Sequence, residues 1–362
     1  FRRSFISVIV CSTSMSLDPI LQILILMVVS TTFTVAVTPA LTAFLYRHRL
    51  GKQIRDAKET PIFSALHAKK SGTPTMGGVL VWGSLLVCLG LTALVSKIVP
   101  SGFWHELNFW SRSETYLPIA AFLLAAWVGL VDDFWNVRQR GAHGGGLRAR
   151  QRLLLYTAIA VVGAWWFYAK LDWTTLHIPF VGNYDIHGWY IPLFVFVIVA
   201  TSFSVNEADG LDGLAGGMLL AAFTTFGVIA VVQGKFELAS FIAVIVGALT
   251  AFLWFNIPPA RFFMGDTGAM GMGVTLGVIA MLTNTSLLLP VIGLPFVIES
   301  LSVIIQRTSK KLRHGKKVFI SSPIHHHLEA KGWPESKIVM RFWIISAMSS
   351  VLGLILVLID KR

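Results

Sequence analysis

The sequence is poor in charge and in cysteine, and each shortage excludes a class of protein. Charged residues make up only 13% of its 362 residues, whereas soluble domains carry about 25%. The two cysteines, Cys11 and Cys88, both lie among apolar residues, which predicts neither a disulfide framework nor a metal site. Walker A loops, Rossmann fingerprints and serine nucleophile elbows are absent as well. Without zinc-finger or helix-turn-helix spacing, the net charge of +12 does not indicate a nucleic acid partner.

Long apolar runs dominate the chain instead, and 55% of the residues are hydrophobic. A helix needs about 20 mostly apolar residues to cross a bilayer. The sequence therefore predicts an all-α, polytopic membrane protein in which residues 17–362 form one domain, with the N-terminal segment 1–16 left unassigned. The ten candidate spans are residues 17–45, 78–99, 116–130, 153–169, 189–205, 214–232, 238–255, 268–282, 287–305 and 342–359.

The basic residues indicate how these spans are oriented. Ten spans separate two sets of loops, and one set carries 22 of the 30 lysines and arginines. An excess of basic residues marks the cytoplasmic side of a membrane protein, so we expect both termini on the periplasmic or extracellular side. The clustered acids and a histidine triplet fall in the same cytoplasmic loops. This predicts a one-sided active site that suits phosphorylated substrates and anionic membrane lipids.

Two groups of carboxylates dominate those loops. Asp132 and Asp133 directly follow the third predicted span, where adjacent carboxylates repel each other unless a cation lies near them. Asp209 and Asp212 are three residues apart, so on a helical turn they would share one face. A helix that begins near Leu214 would also direct free N–H groups at an anion. Both groups indicate binding or catalysis, the alternative being solvated or capped helix ends.

Three further segments complete the predicted site. Gly265 and Asp266 form a tight turn before a span, and a carboxylate there suits Mg²⁺ bound to phosphates. The histidine triplet at 325–327 lacks zinc-ligand spacing and could bind phosphate, the alternative being a solvated run. Lys70 and Thr75 place a cation and a hydroxyl before the second span, which fits either anion binding or turn punctuation. The residues alone therefore predict a membrane protein with a cytoplasmic, Mg²⁺-dependent site for phosphates.

Several motifs together resemble one enzyme family. They are Lys70 with residues 72–78, Val131-Asp132-Asp133-Phe134, and residues 205–215, 252–256, 263–268, 302–306 and 323–346. These stretches are similar to the phospho-N-acetylmuramoyl-pentapeptide transferase (MraY) family of the polyprenyl-phosphate N-acetylhexosamine-1-phosphate transferase superfamily. Asp-Gly-Leu-Asp-Gly and Met-Gly-Asp belong to the wider superfamily. His-His-His followed by Leu-Glu-Ala-Lys-Gly-Trp-Pro-Glu is specific to this branch.

The resemblance implies an architecture, a reaction and a set of partners. It implies ten transmembrane helices and a homodimer in the bacterial inner membrane, surrounded by membrane lipids, with the site facing the cytoplasm. It implies transfer of phospho-MurNAc-pentapeptide from UDP-MurNAc-pentapeptide to undecaprenyl phosphate. The products are lipid I and UMP, the cofactor is Mg²⁺, and the pathway is peptidoglycan synthesis.

The resemblance also implies roles for individual residues. Asp266 would coordinate Mg²⁺ on the diphosphate, and Asp132 or Asp133 would deprotonate or orient the lipid phosphate in a one-step attack. Phe263 is expected to stack on uracil. The remaining expected substrate contacts are Lys70, Thr75, Arg152, Asn206, Asp209, Asp212, Gly265, Gln306, His325 and His326.

The sequence departs from the family pattern at several of these motifs. Phe203 stands where the family has asparagine, Glu207 and Ala208 replace Leu-Thr, Asn136 replaces a lysine, and Ala269 replaces a serine. A glycine-rich insert at 141–146 is also unusual. The principal acids and histidines remain, so transferase activity is still expected.

Three alternative functions remain open on the sequence alone. The nearest is a UDP-GlcNAc:polyprenyl-phosphate GlcNAc-1-phosphate transferase of the same superfamily, against which the histidine triplet argues. A membrane transporter would carry charged residues in the middle of several spans, and only Glu299 clearly does so. The departures also raise the alternative of an inactive homologue that serves as an assembly scaffold.

Overall fold

Most of the described chain is helical. The computed structural model describes residues 18–51, 70, 72–99, 101–110, 113–141 and 145–360, so the unassigned segment 1–16 and Cys11 lie outside the described residues. The helices are α1 Pro19–Arg47, α2 Val79–Ile98, α3 Phe103–Glu106, α4 Ser113–Val137, α5 Ala149–Lys170, α6 Tyr190–Ala208, α7 Leu214–Val232, α8 Phe236–Asn256, α9 Asp266–Leu282, α10 Leu289–Ile292, α11 Leu294–Leu312, α12 Ile324–Ala330 and α13 Glu335–Asp360. One hairpin, β1 Thr175–Ile178 and β2 Gly182–Asp185, and a 3₁₀ turn, His187–Trp189, separate α5 from α6.

Eight of the described helices are long and apolar enough to cross a membrane: α1, α2, α4, α5, α6, α7, α8 and α13. They confirm the predicted all-α, polytopic class. The two other predicted spans differ from expectation. Helix α9 has only 17 residues, and the ninth predicted span is broken at Gly293 into α10 and α11, because Pro295 can begin a helix but cannot continue one. The count of ten spans and the orientation of the termini stay predictions.

Two local expectations about the acidic segments are wrong. Helix α4 does not end before Asp132 and Asp133 but continues to Val137, so both carboxylates lie on its last turns. Buried backbone donors stabilise these carboxylates within the helix, which a count of apolar residues does not detect. Asp209 and Asp212 do not share a helical face, because α6 ends at Ala208 and residues 209–213 form a turn. Gly213 has a φ of 75° in that turn, a conformation that no helix interior contains.

Helix α9 lies at the centre of the bundle. Every residue from Thr267 to Leu282 is buried, and small residues let neighbouring helices approach it closely. A Cβ added to Gly273 would lie 2.7 Å from the backbone of Ser202 in α6, and one added to Gly129 in α4 would lie 2.3 Å from the carbonyl oxygen of Asp266. This close packing brings the first residue of α9 against the end of α4.

The hairpin and the acidic segments lie at opposite ends of the bundle. Helix α13 begins at Glu335, which contacts Lys70, and ends at Asp360, which contacts the hairpin. There the backbone N–H of Phe180 donates to Asp360 Oδ1 at 2.5 Å, and His177 Nε2 also contacts that carboxylate. The predicted spans did not include this hairpin. The acidic end, where α6 and α4 finish and α9 begins, is where the predicted site residues converge.

Candidate active site

Asp266 is the first residue of α9, and side chains from two other helices hold its carboxylate. Asn206 Nδ2, near the end of α6, donates to Oδ1 at 2.7 Å. Arg152 Nη1, near the start of α5, donates to Oδ2 at 2.8 Å. The same Arg152 nitrogen lies 3.6 Å from Asp132 Oδ2. Four residues that are distant in sequence therefore meet at one point, with a single guanidinium shared between two carboxylates.

Asp132 and Asp133 are both buried, and each has a different backbone partner. Asp133 Oδ2 accepts the backbone N–H of Thr267 at 3.0 Å. That N–H belongs to the first turn of α9, where helical N–H groups lack internal partners and the helix dipole favours negative charge. Asp132 Oδ1 accepts the backbone N–H of Leu147, which follows the glycine-rich insert. The two neighbouring carboxylates are thus fixed in separate orientations.

Gly265 lies so close to Asp133 and Thr75 that there is no space for a side chain at position 265. Its φ is 73°, and an added Cβ would lie 2.4 Å from Asp133 Oδ2 and 2.7 Å from Thr75 Oγ1. Thr75 is buried, and its hydroxyl has no hydrogen-bond partner among the described residues. A glycine is therefore required at 265, and an unused hydroxyl lies close to the carboxylates.

Lys70 is the centre of a second polar cluster beside the first. Its Nζ lies 2.7 Å from Asp212 Oδ1 and 2.5 Å from Glu335 Oε1. The same Glu335 oxygen accepts the backbone N–H of Asp212 at 2.7 Å, and Asp212 Oδ2 accepts the N–H of Ala260 at 3.0 Å. A cavity of about 530 Å³ opens here, lined by Lys70, Thr73, Asp212, Pro258, Pro259, Ala260, Phe263, Glu335 and Ser336.

A second recess, of about 460 Å³, lies between α5 and α6 and is lined by apolar residues and Thr157. It contains no titratable side chain. Because phosphate chemistry requires charged and polar groups, we assign the site to the cavity beside Lys70 and the adjoining carboxylates.

The histidines lie on α12, a short helix rather than the loop that was expected. His325 is fully buried, and its Nδ1 lies 2.9 Å from Oε2 of the equally buried Glu299. A Cβ on Gly210 would lie 2.2 Å from His325 Nε2, so this ring presses on the turn between α6 and α7. His326 Nδ1 lies 2.7 Å from Glu329 Oε2. Glu299, the charged residue in the middle of the ninth predicted span, therefore faces the bundle interior and pairs with His325.

His327 differs from its two neighbours. Burial and the nearby Lys331 lower its pKa. Its Nδ1 accepts the backbone N–H of Ile320 at 3.1 Å, which requires the neutral ring. His327 therefore supports the preceding loop.

The structure brings most of the predicted site residues together. The surroundings of Asp209 and Gln306 differ from those of the two polar clusters. Asp209 is the residue that follows α6 and belongs to the turn under which His325 lies. The Gln306 amide makes three hydrogen bonds to the backbone of residues 318 and 319. Sequence reasoning missed Glu335, although the Trp-Pro-Glu segment at the start of α13 was a usable signal for a carboxylate at a helix N-terminus.

The donor chemistry of the first cluster fits a divalent cation. No group of three or more histidine, cysteine, aspartate or glutamate side chains forms a metal cluster within the part of the chain that the structure describes. Mg²⁺, however, is usually held by one or two carboxylates together with substrate phosphates and water. Asp132 and Asp266 supply two carboxylates, and the positive guanidinium of Arg152 already lies between them.

A polytopic helix bundle with three carboxylates at one end, beside a polar cavity, defines an integral membrane enzyme of phosphate chemistry. Residues 116–284 match the model of glycosyl transferase family 4. Residues 70–80 match phospho-N-acetylmuramoyl-pentapeptide-transferase signature 1.

Full-length relatives agree with these matches. A phospho-N-acetylmuramoyl-pentapeptide-transferase from Desulforapulum autotrophicum is 39% identical over 330 residues, which cover 86% of this chain and 85% of the relative. A protein of the same name from Geobacillus thermodenitrificans is 39% identical over 335 residues, 92% of this chain and 97% of its own. Another from Levilactobacillus brevis is 38% identical over 325 residues, 90% of this chain and 95% of its own. The chain belongs to the phospho-N-acetylmuramoyl-pentapeptide-transferase family.

Proposed function

We propose that this protein transfers phospho-MurNAc-pentapeptide from UDP-MurNAc-pentapeptide to undecaprenyl phosphate, forming lipid I and releasing UMP. The observation that carries the proposal is the convergence of Asp132, Asp133 and Asp266 beside a cavity that contains Phe263. The site would face the cytoplasm of the bacterial inner membrane, as the basic loops favour. There a water-soluble nucleotide and a lipid phosphate can meet at the membrane surface.

The uncharged end of the nucleotide suits the cavity beside Lys70. Lys70 contacts two carboxylates, Asp212 and Glu335, so its charge is already neutralised. A pocket with this balance disfavours phosphate and accepts a base or ribose, with Phe263 as the stacking surface and Lys70 as a hydrogen-bond donor. The diphosphate would then extend toward Arg152 and the carboxylates.

Asp266 is the residue that would hold Mg²⁺, and Asp132, which faces the same Arg152 nitrogen, would be a second carboxylate for the ion if Asp133 is the group that acts on the lipid phosphate. Bound there with the substrate diphosphate, the ion would neutralise charge that develops on the leaving UMP. Asn206 fixes the orientation of Asp266 through its hydrogen bond to Oδ1. Arg152 provides a guanidinium for the lipid phosphate once its contacts with the two carboxylates loosen.

The transfer itself is proposed as one step. An oxygen of the lipid phosphate, deprotonated or oriented by Asp132 or Asp133, bonds to the phosphorus attached to MurNAc. The bond from that phosphorus to the bridging oxygen breaks, and its electron pair leaves with UMP. The buried anchoring of Asp133 at the start of α9 supports a fixed position for this group. Further proposed substrate contacts are Thr75, Asp209, Gln306, His325 and His326.

The decisive experiment is Mg²⁺-dependent lipid I synthesis by the purified protein. Asp266→Asn should lower the transfer rate by about 10²-fold or more while the thermal midpoint stays near that of the parent. Asp185→Asn, on the hairpin at the other end of the bundle, should leave the rate unchanged. Activity with UDP-GlcNAc and none with UDP-MurNAc-pentapeptide would replace the proposed substrate. Light scattering in detergent tests the proposed homodimer.

A further inference from the structure

A strongly basic surface follows the end of α11, outside the site described above. We call residues 310–317 the basic hook. Its eight residues include five cations, Lys310, Lys311, Arg313, Lys316 and Lys317, and no acid. All five side chains are exposed. None of them forms an ion pair with a carboxylate in the described ranges.

The hook has a defined shape. The chain reverses at His314 and Gly315, whose φ angles are 50° and 88°. Ser309 Oγ then donates to the carbonyl of Lys316 at 2.9 Å. The buried Gln306 accepts the N–H groups of residues 318 and 319 at 2.9 and 3.0 Å and donates to the carbonyl of residue 319 at 2.8 Å. These bonds fold the hook back against α11 and present its lysines together.

Apolar side chains are exposed beside the cations. Leu312 is 72% exposed and Val318 is 48% exposed, and Ile304 and Ile305 of α11 are exposed as well. The buried residues of α11 include the polar Ser302, Gln306 and Ser309. A basic segment with adjoining exposed apolar residues has the composition of a surface that lies in the membrane interface. An acidic protein or RNA would use the charge but leave the apolar residues in water.

We propose that the basic hook binds the headgroups of anionic phospholipids at the bilayer surface, with Leu312 and Val318 at the boundary between headgroups and acyl chains. Phosphate-bearing lipids of the cytoplasmic leaflet match the hook in charge. The proposal goes beyond the transfer reaction and does not depend on it. The hook joins the catalytic end through the loop to α12, so lipid binding there would hold that loop at the membrane.

The test measures lipid binding to the full chain in mixed micelles. The probe is fluorescent phosphatidylglycerol, with phosphatidylcholine and inorganic phosphate as separate competitors. The first variant replaces the four lysines with glutamine: Lys310→Gln, Lys311→Gln, Lys316→Gln and Lys317→Gln. The second replaces the same four with arginine, which retains the charge. Circular dichroism melts establish that both variants fold.

The glutamine variant should bind phosphatidylglycerol at least about tenfold more weakly, because an anionic surface attracts each nearby lysine by roughly fivefold in affinity. The arginine variant should bind phosphatidylglycerol as the parent does. Added salt should weaken lipid binding by the parent and by the arginine variant. Equal affinity of the glutamine variant would overturn the proposal. Displacement of phosphatidylglycerol by inorganic phosphate at similar concentration would assign the hook to free anions instead of lipid.

Discussion

Glu335 is the residue whose removal tests the organisation of the proposed nucleotide pocket most directly. Its Oε1 accepts from Lys70 Nζ at 2.5 Å and from the Asp212 N–H at 2.7 Å. It therefore ties α13 to the segment before α2 and to the turn between α6 and α7. Glu335→Ala removes both hydrogen bonds at once and leaves Lys70 with Asp212 alone.

The size of the effect follows from those two bonds. A hydrogen bond to a charged group is worth about 1.5–3 kcal/mol. The Lys70 and Glu335 side chains are 22% and 21% exposed, so solvent screening reduces that value. We expect a loss of about 1–2 kcal/mol in binding of the nucleotide substrate, which is about a 5- to 30-fold rise in KM. The kcat should change little, because the affected cluster lies beside Asp132, Asp133 and Asp266 and includes none of these three carboxylates.

Steady-state kinetics of lipid I synthesis, with UDP-MurNAc-pentapeptide varied, measure this effect. Glu335→Gln is the informative partner variant, since it keeps an acceptor oxygen for the Asp212 N–H but loses the charge that attracts Lys70. It should fall between the parent and Glu335→Ala. Asp185→Ala at the far end of the bundle serves as the control. A KM within twofold of the parent for Glu335→Ala, in a protein that melts normally, would refute the reasoning.

Two other perturbations give clear expectations. Gly265→Ala would place a methyl group 2.4 Å from Asp133 Oδ2. It should lower the transfer rate, and it should lower the free energy of unfolding by about 1–3 kcal/mol. Gly83→Ala, whose added methyl group meets no atom within 4 Å, should change neither the rate nor the stability in the same assays. Burial alone would lower the pKa of His177, but hydrogen bonding and the charge of Asp360 outweigh it and raise the pKa. The stability that His177 contributes should be complete below the unfolded-state pKa of about 6.5 and disappear as pH rises through the folded-state pKa. Thermal melts across this range should show the parent converging on His177→Gln at high pH, and a constant difference would contradict the pairing.

The helical class and most of the site were predictable because their signals are local. Apolar runs fix where helices can lie in a membrane. Short acidic motifs such as Gly265-Asp266 can be recognised in the sequence without knowledge of how the helices pack. Partners from distant segments were not predictable in the same way. Nothing near Glu335 in the sequence indicates Lys70, because their contact depends on how α13 packs against the segment before α2.

The predicted helix boundaries were wrong where polar groups outside a helix stabilise its end. Asp132 and Asp133 read as the residues after a span because charge is costly within one. The backbone N–H groups of Thr267 and Leu147 offset this cost, because each donates a hydrogen bond to one of the two carboxylates. The break at Gly293 also escaped prediction, because the apolar run continues across it. Composition alone cannot distinguish one long span from two consecutive helices.

Two departures from the family pattern, Glu207 and Phe203, lie beside the carboxylate contacts and do not replace them. Glu207 points to α11, where its Oε2 accepts from Ser300 Oγ at 2.8 Å, and Arg307 is a nearby cation that attracts it. Phe203 packs edge-on against Tyr156, one helical turn after Arg152, with ring centroids 6.4 Å apart. Glu207 and Phe203 thus contact α11 and α5 from α6, while Asn206 and Arg152 hold Asp266. If the carboxylates carry the reaction, the departures should alter substrate affinity more than the rate of transfer, because they lie in the helix contacts around the carboxylates and leave the contacts of Asp266 in place.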